Sequence, residues 1–153
     1  MENLQYKDDK LCILDQRLLP NEEKWIEIKN KEQAFDAIKD LAVRGAPAIG
    51  IFAGYSMALF SKDNDIYALK KYLDSSRPTA VNLSWATARI VKAYESGKNL
   101  LDEAIAIHKE DIEMCKRISE YGLSLLNDGD GILTTLQRRR ACNKANTERD
   151  WVR

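Results

Sequence analysis

Five stretches between Asn30 and Leu126 carry apolar residues at three- and four-residue spacing, and each is bounded by residues that start or stop a helix. That period commits the middle of the chain to α-helix. Asn30 followed by Gln33 resembles a capping box, after which Ala34, Phe35, Ile38, Leu41 and Ala42 recur until Gly45. Pro47 suits the first turn of a second helix that carries Ile49, Phe52, Ala53, Met57 and Phe60 and packs closely through Gly50 and Gly54. A third, short helix is predicted over about residues 65–73. Thr79, just after Arg77-Pro78, is placed to cap a fourth that runs through Trp85, Ile90 and Tyr94 and ends near Gly97. Asn99 can cap a long fifth helix, with Asp102 and Glu103 at its positive end and Ile105, Ile112, Cys115, Ile118, Leu125 and Leu126 along it.

Ahead of these helices, Leu11 to Gln16 and Trp25 to Ile28 are short β-prone runs separated by a turn at Pro20-Asn21, which predicts an antiparallel hairpin. Behind them, Asn127-Asp128-Gly129-Asp130-Gly131 breaks the helical period, and Ile132-Leu133-Thr134 reads as a buried strand opening a new domain. The pattern then stops. From Thr135 to Arg153 there are six basic residues, two acidic ones and one aromatic, with almost no aliphatic periodicity.

Lys plus Arg and Asp plus Glu number 24 each, so no whole-chain field draws in nucleic acid or an anionic membrane, and any phosphate site must be local. The basic tail lacks the aromatic residues and organised basic face of a nucleic-acid-binding surface. Cys12, Cys115 and Cys142 are odd in number and far apart, which fits a reduced, cytoplasmic setting and no zinc site. The first residues lack a signal-peptide pattern, and no apolar run reaches the roughly 18 residues of a membrane span. Cys12 reads as a small strand hydrophobe, Cys115 as core, Trp25 and Trp85 as core anchors, and His108 as a residue of a solvated or partly buried helix face.

Two segments carry chemistry. Arg44-Gly45-Ala46-Pro47-Ala48-Ile49-Gly50 sets a guanidinium beside a turn whose amides open a helix, an arrangement that binds phosphate through backbone N–H groups, the dipole and a bidentate Arg. The same residues also read as a plain helix–turn–helix corner, with Gly45 as a C-cap and Arg44 solvated. Arg77-Pro78-Thr79-Ala80-Val81-Asn82-Leu83 repeats the logic, with Asn82 as a polar handle in the first turn. Together the pair suggests a clamp for one anion; each alone also fits a surface Arg before a helix.

These two segments, the second continued through Ser84-Trp85, resemble the amino-terminal signatures of the methylthioribose-1-phosphate isomerases. Leu14-Asp15-Gln16, Leu19-Pro20 and Gly131 to Thr134 are similar in kind and order. The resemblance covers residues 11–134. It implies interconversion of 5-methylthioribose 1-phosphate and 5-methylthioribulose 1-phosphate in methionine salvage, without metal or organic cofactor, by proton transfer through an enol or by a hydride shift. It places substrate binding on Arg44, Gly45 and Ala46 and on Arg77, with a sugar phosphate as the partner and no nucleic acid or membrane. The intact family is homodimeric. Its catalytic Cys and Asp belong to a carboxy-terminal Rossmann-like domain, so no catalytic residue is assigned within this chain.

The expected fold is therefore α+β and mainly α: a helical amino-terminal domain with a small β hairpin over residues 1–127, the first strand of a truncated Rossmann-like domain over 128–134, and an aberrant, disordered tail over 135–153. After Thr134 the family reads His-Cys-Asn-Ala-Gly. Thr135-Leu136-Gln137-Arg138-Arg139 can be encoded ACA-CTG-CAA-CGC-AGG, and these bases read one position later, with the first base of a CGN codon for Arg140, give CAC-TGC-AAC-GCA-GGC, which encodes that pentapeptide. The tail thus reads as a frameshift product, Cys142 is no substitute for the family cysteine, and the chain alone is expected to be inactive. A reading frame that encodes Arg138-Arg139-Arg140 with no shifted Cys codon would refute this. The alternatives are another sugar-1-phosphate isomerase of the superfamily, or a non-catalytic interaction module like the regulatory subunits of initiation factor 2B.

Overall fold

The structure, a computed structural model, describes residues 3–131. The described residues divide into two compact units, residues 3–108 and residues 109–131. The predicted strand at Ile132-Leu133-Thr134 and the 135–153 tail lie outside the described residues.

The first unit opens with three strands, β1 (Leu4–Lys7), β2 (Lys10–Leu14) and β3 (Trp25–Ile28), in an antiparallel sheet of order β1-β2-β3. β2 and β3 form the predicted hairpin, with Leu11 opposite Ile28 and Leu14 opposite Trp25. β1 is an addition to the sequence expectation. It pairs with β2 through a two-residue turn in which Asp8 and Asp9 both take positive φ, 51° and 58°, the geometry whose twist matches a tight hairpin. Aspartate tolerates this conformation better than most residues, so the turn lacks the glycine that usually marks it in a sequence.

Four complete helices follow: α1 (Lys31–Lys39), α2 (Ala46–Phe60), α3 (Ile66–Ser76) and α4 (Val81–Glu95). A fifth, α5 (Leu100–Ser124), belongs to the first unit up to His108. The architecture is α+β and mainly helical, as the spacing predicts. Asn30 caps α1 by accepting from the Gln33 amide at 2.8 Å, and the Gln33 side chain accepts from the Lys29 amide at 2.8 Å. Asp65 caps α3 through the Ala68 amide, and Asn99 caps α5 through the Leu101 amide at 2.9 Å.

Several helix boundaries differ from the sequence reading. α1 ends at Lys39, not Gly45, because Leu41 enters the left-handed region at φ 63° and the Val43 amide turns back to the Ala37 carbonyl. α3 runs on to Ser76. Thr79 does not cap α4: the Ala80 amide bonds the Arg77 carbonyl in a turn, and Ala80 itself occupies the cap position.

The core is built on α2, whose residues from Ile49 to Ala58 are all buried. Phe52 and Met57 meet Leu11, Ile13, Ile38, Leu69, Leu73, Leu83, Ile90, Ala104 and Ile107 in one apolar cluster. α2 approaches its neighbours through glycine: a methyl group on Gly50 would stand 2.9 Å from the Asn82 backbone oxygen of α4, and one on Gly54 3.4 Å from Cδ1 of Ile107. Trp25 and Trp85 are not core anchors, being 40% and 50% exposed. Trp25 starts an edge strand, and Trp85 faces outward beneath the Arg89 guanidinium, 5.6 Å from its ring centre. Cys12 is half-buried on β2.

In the second unit α5 continues as an amphipathic helix with exposed pairs Lys116–Glu120 and Arg117–Glu113 at i,i+4 spacing. Ile105, at the start of the predicted apolar stripe, packs against the core of the first unit, but from Ile112 on the stripe meets no core among the described residues. Ile112, Ile118, Leu125 and Leu126 are exposed, and Cys115 is only half-buried. The helix stops at Ser124, before Leu125, and the Asp130 carboxylate accepts from the Asn127 amide in the following turn.

Candidate functional site

Gly45 is the N-cap of α2, not a C-cap of α1. Its φ of 95° and ψ of 129° lie in a region that disfavours any side chain, although the space around it is open. Its carbonyl accepts the first helical bond, from the Ile49 amide at 3.0 Å. The amides of Ala46 and Ala48 stand in the first turn, where the helix itself offers them no acceptor, and Pro47 between them has no N–H. No side chain caps this helix and no acid sits in its first turn. Arg44, Gly45 and Ala46 are all exposed.

The second segment repeats this condition. α4 starts at Val81 behind Ala80, again with no capping side chain and no first-turn acid. Arg77 is half-buried at the end of α3 and lines an open groove of about 390 Å³ with Lys71, Asp74, Pro78, Leu83 and Ser84. The carboxylate in that groove is already engaged, because Asp74 pairs with Lys70 and accepts from the Thr87 hydroxyl at 2.8 Å. α1, α3 and α5 have capping side chains, so among the described residues the two helix starts left open are those that follow Arg44 and Arg77.

The Gly50–Asn82 approach joins the two segments. Asn82 stands one residue into α4, and Gly50 four residues into α2, which is about 6 Å of helix rise from its start. The positive ends of both helix dipoles therefore lie in one region of the unit.

Behind Arg44 stands the loop after β2. Asp15 is 2% exposed, and its carboxylate takes three bonds from Arg17: the backbone amide at 3.1 Å, Nε at 2.8 Å and Nη2 at 2.6 Å. The Arg17 side chain holds the Asp15 carboxyl below the usual carboxylate range against the opposing effect of burial. The Gln16 amide donates to the Ala42 carbonyl at 3.1 Å, and its side chain to the Arg44 carbonyl at 3.4 Å. The sequence reading took Asp15 and Gln16 as the end of a β-prone run and as part of the resemblance; β2 stops at Leu14, and the partners of Gln16, Ala42 and Arg44, lie far along the chain.

A second polar group lies apart from these segments. Tyr6 stacks on Tyr55 at 5.2 Å, the Tyr55 hydroxyl is 3.2 Å from Nδ1 of His108, and the three line a groove of about 280 Å³ with Leu4, Gln5 and Lys7. His108 is thus half-buried, in the range the sequence suggested. Tyr6 donates to Asp9 at 2.6 Å, and this bond to a carboxylate pushes its pKa up to about 12. Among the described residues, no group of three or more His, Cys, Asp or Glu converges as a metal site requires, and no helix is long and apolar enough to cross a membrane.

The sequence signature of the initiation factor 2 subunit family matches residues 42–150, a span that includes both Arg-bearing segments and reaches past Thr134. The chain is 51% identical over 132 residues to a putative methylthioribose-1-phosphate isomerase of Methanocaldococcus jannaschii, a match covering 84% of this chain and 40% of that protein. It is 46% identical over 145 residues to the 5-deoxyribose 1-phosphate isomerase of Petrotoga mobilis, covering 82% of this chain and 42% of the relative. The chain thus spans about two fifths of the length of these curated relatives. Its fold matches the crystal structure of 5-methylthioribose 1-phosphate isomerase from Pyrococcus horikoshii with a TM-score of 0.74 at 34% identity, over 83% of this chain and 41% of that one.

Proposed function

The chain belongs to the initiation factor 2 subunit family, and we propose that it supplies the phosphate-binding half-site of a sugar-1-phosphate aldose–ketose isomerase. One observation carries this reading: the helix starts after Arg44 and Arg77 lack caps and first-turn acids, and Gly50 draws their helices into contact. An anion held there takes first-turn amides, the favourable ends of two dipoles and two guanidinium groups capable of bidentate bonding. Arg44, Gly45, Ala46 and Arg77 are the residues we assign to substrate.

The relatives' names support the substrate class, since both are isomerases of a five-carbon sugar 1-phosphate. We assign 5-methylthioribose 1-phosphate, converted to 5-methylthioribulose 1-phosphate in methionine salvage in the cytoplasm. 5-Deoxyribose 1-phosphate is the second reading, favoured by the Petrotoga relative. Aldose–ketose exchange moves a hydrogen from C2 to C1 and needs an acid–base or hydride-transfer environment. The half-site offers donors, and Asp74 beside it is committed to Lys70 and Thr87. The 153-residue chain is accordingly expected to bind without turning over.

Calorimetric titration of the purified chain with each sugar phosphate and with inorganic phosphate tests the assignment. Arg44→Ala and Arg77→Ala should each weaken binding by about tenfold or more, the usual scale for a lost charge-assisted bond. Unchanged binding in the double variant would overturn the site, and no binding by the wild-type chain would favour an interaction module like the initiation factor subunits. Conversion of either sugar phosphate by the chain alone would contradict the half-site reading.

A further inference from the structure

We propose that Gln16, seated on the Asp15–Arg17 ion pair, is the positioning residue of the anion site and aims the Gly45 amide at the ligand. The proposal rests on the assignment of Arg44 to Ala46 as phosphate-binding, and it concerns how that loop acquires its direction.

The segment from Asp40 to Gly45 belongs to no helix or strand, and it contains two residues at positive φ, Leu41 at 63° and Gly45 at 95°. Such a segment needs external partners to hold one conformation. The Asp40, Leu41 and Val43 amides bond carbonyls of α1, at Asp36, Ile38 and Ala37, and the burial of Ala42 and Val43 fixes the middle of the segment. None of these bonds takes the Arg44 carbonyl, and the Ile49 amide holds Gly45 only on its carbonyl side.

The loop after β2 supplies the missing partners. The Arg17 guanidinium is 3.9 Å from the Asp40 carboxylate, the Gln16 amide holds the Ala42 carbonyl, and the Gln16 side chain reaches the Arg44 carbonyl. Two consecutive residues thus engage every second residue of the segment, at 40, 42 and 44. The buried Asp15 carboxylate makes this possible, since it ties Arg17 back through three bonds and fixes the backbone from which Gln16 projects.

A trans peptide sets its C=O and N–H in opposite directions within one plane. The peptide at Ala42–Val43 illustrates the consequence: its carbonyl is taken by Gln16 and its amide points the other way, to Ala37. The Arg44–Gly45 peptide is also trans. With its carbonyl held by Gln16, the Gly45 N–H must point away from the β2 loop and joins the amides at the start of α2. Release of that carbonyl would let the plane rotate, because Gly45 has no side chain to restrain it and the position a Cβ would take is open.

The test compares the full chain with Gln16→Met, which keeps the side-chain length and apolar stem but cannot donate. Gln16 is half-buried and bears no charge, so this variant avoids stranding a buried group, as Arg17→Met would. In ligand-free protein, the residual dipolar coupling of the Gly45 N–H vector should change while those of Ala37 and Val43 hold. In titrations with inorganic phosphate, the wild-type Gly45 amide should shift, and Gln16→Met should show about three- to tenfold weaker affinity, the scale of one net hydrogen bond. A Gly45 vector and phosphate affinity unchanged in Gln16→Met overturn the positioning role. If wild type binds no phosphate yet the Gly45 vector still moves, the anion assignment fails while the brace itself is upheld.

Discussion

Replacing Gly50 by alanine tests the packing on which the candidate site depends, and Gly54→Ala provides its control four residues along the same helix. Both changes gain helix propensity, worth about 0.8–1 kcal/mol. They differ in what the new methyl group meets. At position 50 it stands 2.9 Å from a backbone oxygen, Asn82 O, which is fixed in the first turn of α4 and cannot rotate aside. Overpacking of this kind costs about 1–3 kcal/mol, so the net expectation is a loss of about 1 kcal/mol. At position 54 the nearest atom is the Ile107 Cδ1 at 3.4 Å, the tip of a side chain that can yield a few tenths of an ångström. There the propensity gain should survive, leaving the variant unchanged or about 0.5 kcal/mol more stable. Urea denaturation followed by far-ultraviolet circular dichroism reads both. Because relief of the clash must move the start of α4 away from α2, Gly50→Ala should also weaken phosphate binding, and Gly54→Ala should not. A Gly50→Ala protein as stable as Gly54→Ala would refute the argument that glycine sets the α2–α4 approach.

Two titration experiments follow from the polar contacts. Asp15 has a folded-state pKa below its unfolded value of about 3.9, so the Asp15–Arg17 pair contributes stability that is full above about pH 4 and is lost as pH falls through the lowered pKa. Arg17→Met should destabilise at neutral pH and lose this acid limb, because the stranded carboxylate then gains from protonation; denaturation curves from pH 7 to pH 2 would expose an unaltered slope if the pair were idle. Tyr6 should ionise near pH 12 in ultraviolet difference titration, and Asp9→Asn should bring it back toward 10, since the bond to Asp9 is the largest cause of the rise. A Tyr6 midpoint insensitive to residue 9 would exclude that cause.

The helices were legible because their information is local. Asn30, Asp65 and Asn99 bond amides two or three residues away, and the apolar period of α1 and α3 is visible in a short window. Failures arose where distant residues decide. Leu41 ends α1 in a conformation leucine rarely adopts, with Ala42 and Val43 drawn into the core and their backbone tied to Gln16 and Ala37. Trp25 and Trp85 were misassigned because aromatic character signals burial only on average. The stripe along the second half of α5 has the right period, yet a period cannot name what would cover it. Of the candidate site, the Arg44 and Arg77 segments were readable as motifs. Their approach through Gly50 and Asn82, and the support that Gln16 gives Arg44, link residues about 30 positions apart and have no local signal.

The alanine at position 80 has a consequence for anyone who would make this protein sturdier. Serine, aspartate or asparagine there would satisfy a first-turn amide of α4 and raise stability by about 1 kcal/mol. A stability-driven redesign would therefore choose that position early. Aspartate would be the costly choice, because it would place a permanent resident carboxylate where the proposed ligand's own negative charge must settle. Thermal resistance and ligand affinity are set against each other at a single side chain, and alanine leaves the helix end open.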